Sequence, residues 1–300
     1  MRPLRRASMN VTFVGLGVMG GAMASNLAAG DVDLTVYNRT KEKAAPLINQ
    51  GAHLNESLHE AVEDADLVFT MLTGPDAVQE TALGDLGFVQ SMKPGSLWVD
   101  CSTVHPAFTK LCYDSALKED VRFMDAPVAG TKGPAEQGEL VFLLGGEEKD
   151  VNEIAPYTSI MGKKAVHVGP VSHGTSLKMV VNLMLATNMA VFTEGMMLGE
   201  KLGLEKDFLL DTLPDMPVAA PFLKMKADKL RQDNYDEEFS LKNMHKDLHL
   251  ASLSGFDHHA ALKITNIVKE AFSEANVNGY GDLDFSAIYE YYRSLHNLEK

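Results

Sequence analysis

Cysteine is scarce. Cys101 and Cys112 are the only two in 300 residues, they are not in a CxxC spacing, and neither is set among histidine ligands. That excludes a disulfide framework and a cysteine-based zinc site. Basic residues are also few: 27 lysines and arginines face 41 aspartates and glutamates, for a formal net charge of −14. A nucleic-acid surface needs a positive stripe to neutralise phosphates, and none is found. No uncharged apolar run reaches the roughly 18–20 residues of a membrane span, because Lys178 and Glu194 interrupt the longest candidate. The opening residues MRPLRRAS are basic but lack the apolar stretch of about 7–15 residues of a secretory signal, and Met9 offers itself as the natural start. The expectation is a soluble, cytoplasmic protein that engages neither nucleic acid nor membrane.

What the chain does have is apolar material for more than one core, 45% of its residues, at a length that suits two domains. Strand-like runs occur at Asn10 to Val14, Asp33 to Tyr37, Ala65 to Leu72, Ser96 to Asp100, Arg122 to Ala126 and Leu140 to Leu144, with helical stretches between several of them. Strands alternating with helices imply a parallel sheet covered on both faces. Beyond Gly169-Pro170 the chain reads as helices: Ser172 to Leu202, then Pro221 to Arg231, Leu241 to Ser254, Ala260 to Asn276 and Phe285 to Leu298. The fold class is therefore α/β, a Rossmann-type doubly wound sheet over residues 9–168, followed by an all-α domain over 169–300 and joined to it by the long helix.

The first strand runs into Gly15-Leu16-Gly17-Val18-Met19-Gly20 and then a small-residue helix, which is the context that gives a GxGxxG loop its meaning. Gly15 would permit the tight turn, Gly17 would let the backbone approach a pyrophosphate, and Gly20 would let helix pack on sheet, with the helix N-terminus facing negative charge. After the second strand an acid would normally bond the ribose hydroxyls of NAD. Here the chain reads Tyr37-Asn38-Arg39-Thr40, and a guanidinium with neighbouring donors suits a 2′-phosphate, hence NADP(H). Met71 and Leu72, at the end of another strand-like run, are expected to border the same cofactor.

Three further stretches bear chemistry. DAPVAGTKG, Asp125 to Gly133, either exposes backbone N–H groups that can hold a carboxylate or is a plain strand-to-turn connection. Ser102 and Thr103 end a strand and either face the ligand crevice or cap a following helix. Lys178 and Asn182 are four positions apart on the long helix and share a face. An ammonium among Met179, Val180, Val181, Leu183 and Met184 either snorkels to water or works chemically, since desolvation makes it readier to give up a proton. His245 and His249 share an i, i+4 spacing with His258 and His259 nearby, but no third ligand is evident and no metal is expected.

In order, GLGVMG, DCST, DAPVAGTKGPAEQGEL, GTSLKMVVN and FSLKNMHKDLHLA resemble the β-hydroxyacid dehydrogenase family from Met9 to about Leu298. Within that family the chain is similar to the glyoxylate and succinic semialdehyde reductase branch. KMVVN, the TKGPAEQGEL extension and NRT carry that likeness. The resemblance implies that Lys178 is catalytic and that Asn182 orients the substrate. It implies that Ser102, Gly130 and Thr131 line the substrate site, that Thr103 lies beside the nicotinamide, and that Lys246 with Asp247 closes over the cofactor. It also implies a small carboxylate-bearing aldehyde or hydroxy acid as substrate, NADP(H) as cofactor, and a homodimer or homotetramer. Ala129 stands where many relatives have serine and Val181 where another form has asparagine, so the substrate would meet backbone donors and a more apolar wall. The rival readings are an NAD-dependent 3-hydroxyisobutyrate or tartronate semialdehyde type, an imine reductase, and a non-catalytic assembly module; Lys178 argues against the last two.

Overall fold

The computed structural model describes residues 9–296. The segment MRPLRRAS and the end of the helix expected over Phe285 to Leu298 lie outside the described residues. Among the described residues nine strands form one sheet: β1 (Val11–Val14), β2 (Leu34–Tyr37), β3 (His53–Leu54), β4 (Leu67–Thr70), β5 (Leu97–Asp100), β6 (Arg122–Asp125), β7 (Val128–Ala129), β8 (Leu140–Gly145) and β9 (Gly162–Gly169). Their order is β3-β2-β1-β4-β5-β6-β8-β7, with β9 paired to β8. β1, β4 and β5 are buried along their whole length, which is why they read as unbroken apolar runs rather than alternating ones.

The sheet is parallel from β3 to β6 and mixed beyond. β8 runs antiparallel to β6 and β7 and parallel to β9, a correction to the uniformly parallel expectation. Strands β3 and β7 have two residues each, too few to show a period. β9, GKKAVHVG, is largely exposed, so its lysines hide it from a search for apolar runs. Two cores cover the sheet. Met23 and Leu27 of helix Val18–Ala29 pack with Phe13 and Phe69 on one face. On the other, the ring of Trp98 stands edge-on to Phe88 and Phe123, at 5.3 and 4.8 Å between centroids, a geometry that adds to simple area burial.

β1 is the switch point, with β2 on one side and β4 on the other. Its last residue, Val14, is level with Tyr37 of β2 and Thr70 of β4. The C-terminal ends of parallel strands beside such a reversal form a ligand crevice.

The chain divides into two compact units at Lys178/Met179, inside the continuous helix His173–Lys201; β9 and the sheet end earlier, at Gly169. That helix is long and apolar enough to cross a membrane by composition, with a mean hydropathy of 1.3. In the second unit its Ala186, Met189 and Met196 pack instead into a core with Leu230, Leu248, Phe272 and Tyr289. Beside that core Lys226 is buried, its Nζ 2.9 and 3.0 Å from the two carboxylate oxygens of Asp284. Asp284 also accepts from Ser286 and the Phe239 N–H, so the charge is paired and bonded as burial requires.

Candidate active site

The glycine loop opens a cavity of about 340 Å³ at the switch point, lined by Val14, Gly15 and Gly17 together with Tyr37, Asn38, Arg39, Thr40, Lys43, Met71, Leu72, Thr73 and Glu80 among others. Gly15 takes φ +99°, and a Cβ there would collide with the Met71 carbonyl; a Cβ on Gly20 would collide with the Gly15 carbonyl. Both glycines are therefore fixed by the fold itself. Gly17 differs, since nothing lies within 4 Å of where its Cβ would be. Gly17 leads into helix Val18–Ala29, whose first turn carries no acid and whose cap has no side-chain bond, so its N-terminal N–H groups and dipole suit an anion.

Asn38 plays a different part from the free donor expected of it. Its Oδ1 accepts the Leu16 N–H at 2.8 Å and its Nδ2 donates to the Thr40 carbonyl at 2.7 Å. Thus Asn38 ties the glycine loop to the end of β2, and the Leu16 N–H is already committed. Arg39 and Thr40 are exposed on the rim. Lys43, which sequence reasoning passed over, joins them from the helical turn Lys41–Ala44; its place three residues after Thr40 was the available signal. Val18 is exposed at the helix start, and Met19 is half-buried against the core.

Further along the same edge, Asp100 ends β5 fully buried. Its Oδ1 accepts from Thr70 Oγ1 at 2.8 Å and from the Ser102 N–H at 3.0 Å, while Trp98 Nε1 donates to Thr70 Oγ1 at 2.9 Å. Burial above all pushes the Asp100 carboxyl up to about 6, with Asp125 adding repulsion and Ser102 and Thr70 pulling back. Ser102 is buried and its Oγ accepts the Leu72 N–H at 2.9 Å. Thr103, next in line, is half-buried.

Asp125 ends β6, and its two oxygens accept the N–H groups of Ser172 and Thr175, each at 2.7 Å. This fastens the start of the long helix to the strand. Lys178 follows one turn later and is 8% exposed. Asn182 is buried a further turn along; its Nδ2 donates to Asp247 Oδ2 at 2.6 Å, and its Oδ1 has no partner among the described residues. Lys246 Nζ lies 2.6 Å from the other Asp247 oxygen, Oδ1. Gly130 is exposed and Thr131 half-buried, at the entry to the short helix Lys132–Glu136. His245 is held below the usual imidazole range chiefly by burial, and among the described residues no third side chain joins it and His249 as a metal ligand set.

Residues 10–169 match the family model described as the NAD binding domain of 6-phosphogluconate dehydrogenase. Residues 172–292 match the one described as NAD-binding of NADP-dependent 3-hydroxyisobutyrate dehydrogenase. Glyoxylate/succinic semialdehyde reductase 1 of Arabidopsis thaliana is 34% identical over 94% of this chain and 98% of its own length. The chloroplastic reductase 2 of the same plant is 34% identical over 97% of this chain and 82% of its own. Among solved structures, 3-hydroxyisobutyrate dehydrogenase of Mycobacterium tuberculosis with L-serine superposes at a TM-score of 0.86 with 26% identity, covering 95% of this chain and 99% of that one.

Proposed function

This chain belongs to the β-hydroxyacid dehydrogenase family of NAD(P)-dependent oxidoreductases, the 3-hydroxyisobutyrate dehydrogenase-like enzymes, and from that premise we propose that it uses NADPH to reduce a small aldehyde acid, of the glyoxylate or succinic semialdehyde class, to the hydroxy acid. One observation carries the reading: the C-terminal edge of a single sheet bears both the glycine-loop cavity with its cationic rim and the anchored first turns of the helix that holds buried Lys178.

The residues fit a dinucleotide. Open space beside Gly17, the unblocked helix start and the glycines fixed by packing form a pyrophosphate cradle; Arg39, Thr40 and Lys43 would hold the 2′-phosphate. A net charge of −14 would repel an anionic cofactor and substrate, and these local donors offset it. Bound there, the cofactor supplies a hydride to the aldehyde carbon. Lys178 hydrogen-bonds the carbonyl oxygen, stabilises the charge that grows on it and delivers the proton. Backbone N–H groups at Gly130-Thr131 take the carboxylate. Asn182 keeps an acceptor, Oδ1, which suits the hydroxyl of a hydroxy acid, while Asp247 fixes the amide. A reducing cytoplasm suits Cys101 and Cys112, both free, buried and held as thiols by burial.

The test is the initial rate of NADPH and NADH oxidation with glyoxylate and with succinic semialdehyde. Lys178→Ala should lose roughly 10²–10⁴-fold in kcat, the scale of a lost general acid; near-normal turnover would sink the assignment. The double change Arg39→Ala with Lys43→Ala should raise KM for NADPH by about ten-fold or more while leaving that for NADH nearly constant, as expected if charged hydrogen bonds to a phosphate are removed. A wild-type preference for NADH with branched hydroxy acids would instead favour the 3-hydroxyisobutyrate type.

A further inference from the structure

Ser102 has its hydroxyl enclosed and bonded inside the protein. Its Oγ accepts the Leu72 N–H at 2.9 Å. Its backbone N–H is bound by the Asp100 carboxyl, at 3.0 Å, and the residue is 1% exposed. A hydroxyl offers one donor and two acceptor sites; here one acceptor is used by Leu72, and the rest of the group is out of reach of solvent. A substrate carboxylate needs donors it can reach, and this hydroxyl is enclosed.

Leu72 is where the clamp acts. Met71, Leu72 and Thr73 line the cavity beside the glycine loop, and the Met71 carbonyl and the Leu72 side chain press against Gly15 so closely that a Cβ does not fit. Moving this loop therefore moves one wall of the cavity. The Asp100 carboxyl is itself braced by Thr70, which is braced by Trp98. The elements packed around Asp100 bring three titratable groups toward it: Asp125 from β6, Cys101 from its own loop, and Cys112 from helix Pro106–Lys118.

We propose that Ser102 is a positioning residue for the cofactor: held by Asp100, it fixes the 71–73 loop against the glycine loop through Leu72, and it does not bind substrate. This rests on the cavity being the nicotinamide-cofactor site, and it takes Ser102 out of the substrate contact that resemblance implies.

Trp98 is the single tryptophan of the chain and belongs to the same network, so energy transfer from it to bound NADPH reads cofactor affinity without turnover. Ser102→Ala should weaken NADPH binding roughly ten-fold, the consequence of leaving the part-buried Leu72 N–H unpaired and its loop unclamped, with the aldehyde KM at saturating NADPH within about two-fold of wild type. Ser102→Thr, which keeps the hydroxyl, should restore most of the affinity. If Ser102→Ala melts too low to assay, Ser102→Cys fills the same space with a poor acceptor and reads the same split. A rise in aldehyde KM with NADPH affinity intact, or no change in either constant, overturns the proposal. Wild-type protein that binds NADPH but reduces neither aldehyde refutes the substrate reading alone, and the affinity series still decides this one. Wild-type protein that shows no transfer to either cofactor refutes the cavity assignment and this proposal together.

Discussion

Asp100 shows how a single buried carboxyl links fold to pH. Its folded pKa, pushed up to about 6 from the ordinary aspartate value of 3.8, reflects mainly its removal from water. Between those two values the folded chain holds a proton that the unfolded chain has released, so this group makes stability fall as pH rises through that window, and the deficit persists above it. Asparagine keeps an acceptor for the Ser102 N–H and cannot ionise. The Tm of Asp100→Asn minus that of wild type should therefore climb between about pH 4 and pH 7, in thermal melts across a buffer series. Parallel curves would show that Asp100 does not titrate in this range. Residues of this kind are invisible in sequence: DCST marks a strand end, but its burial comes from β4, β6 and helix Pro106–Lys118 closing around it. The same holds for Asn38, whose amide looked available until its oxygen took the Leu16 N–H of the glycine loop and its nitrogen the Thr40 carbonyl.

The long helix is the element on which the site depends. Its sequence announced it, since apolar residues continue from Ser172 to Leu202 with only brief interruption, and the observed bounds differ by a residue at each end. Its anchoring was not announced. Ser172 sits at φ +78°, a left-handed turn, and the Asp125 carboxylate takes two N–H groups of the first turn, where a negative charge also meets the helix dipole favourably. Asp125→Ala would leave the buried Thr175 N–H and the part-buried Ser172 N–H without their acceptor, at a cost of about 2–5 kcal/mol. A fall in Tm of several degrees is expected, with faster amide exchange over residues 172–178, and Asp125→Asn should lie between. An unchanged melting curve for the alanine variant would mean that the helix start is held by its packing alone.

At the scale of the molecule, the long helix leaves Val180, Met184, Val191 and Leu198 exposed, at 48, 56, 63 and 62%. Their spacings of four and seven place them on one face. An apolar stripe of that length is unusual on a monomer's surface, and a second copy of the chain is the simplest cover for it. A homodimer or homotetramer is accordingly expected in light scattering behind size exclusion. Val191→Glu with Leu198→Glu should shift the mass toward one subunit; a wild-type monomer at micromolar concentration would dispose of the idea.

The sequence by itself determined what depends on local order: the strand-loop-helix with its glycines, the succession of a sheet half and a helical half, and the lysine and asparagine one turn apart. These are set by spacing along the chain, and spacing is what a sequence records. Only the tertiary structure decided the antiparallel turn of β7 and β8, the late strand β9, the arrival of Lys43 at the cavity rim, the fastening of the long helix by Asp125, and the enclosure of Asp100 and Ser102. Each of these joins residues distant in the chain, and a hydrogen bond or a desolvated carboxyl exists only once the chain has brought its partners together.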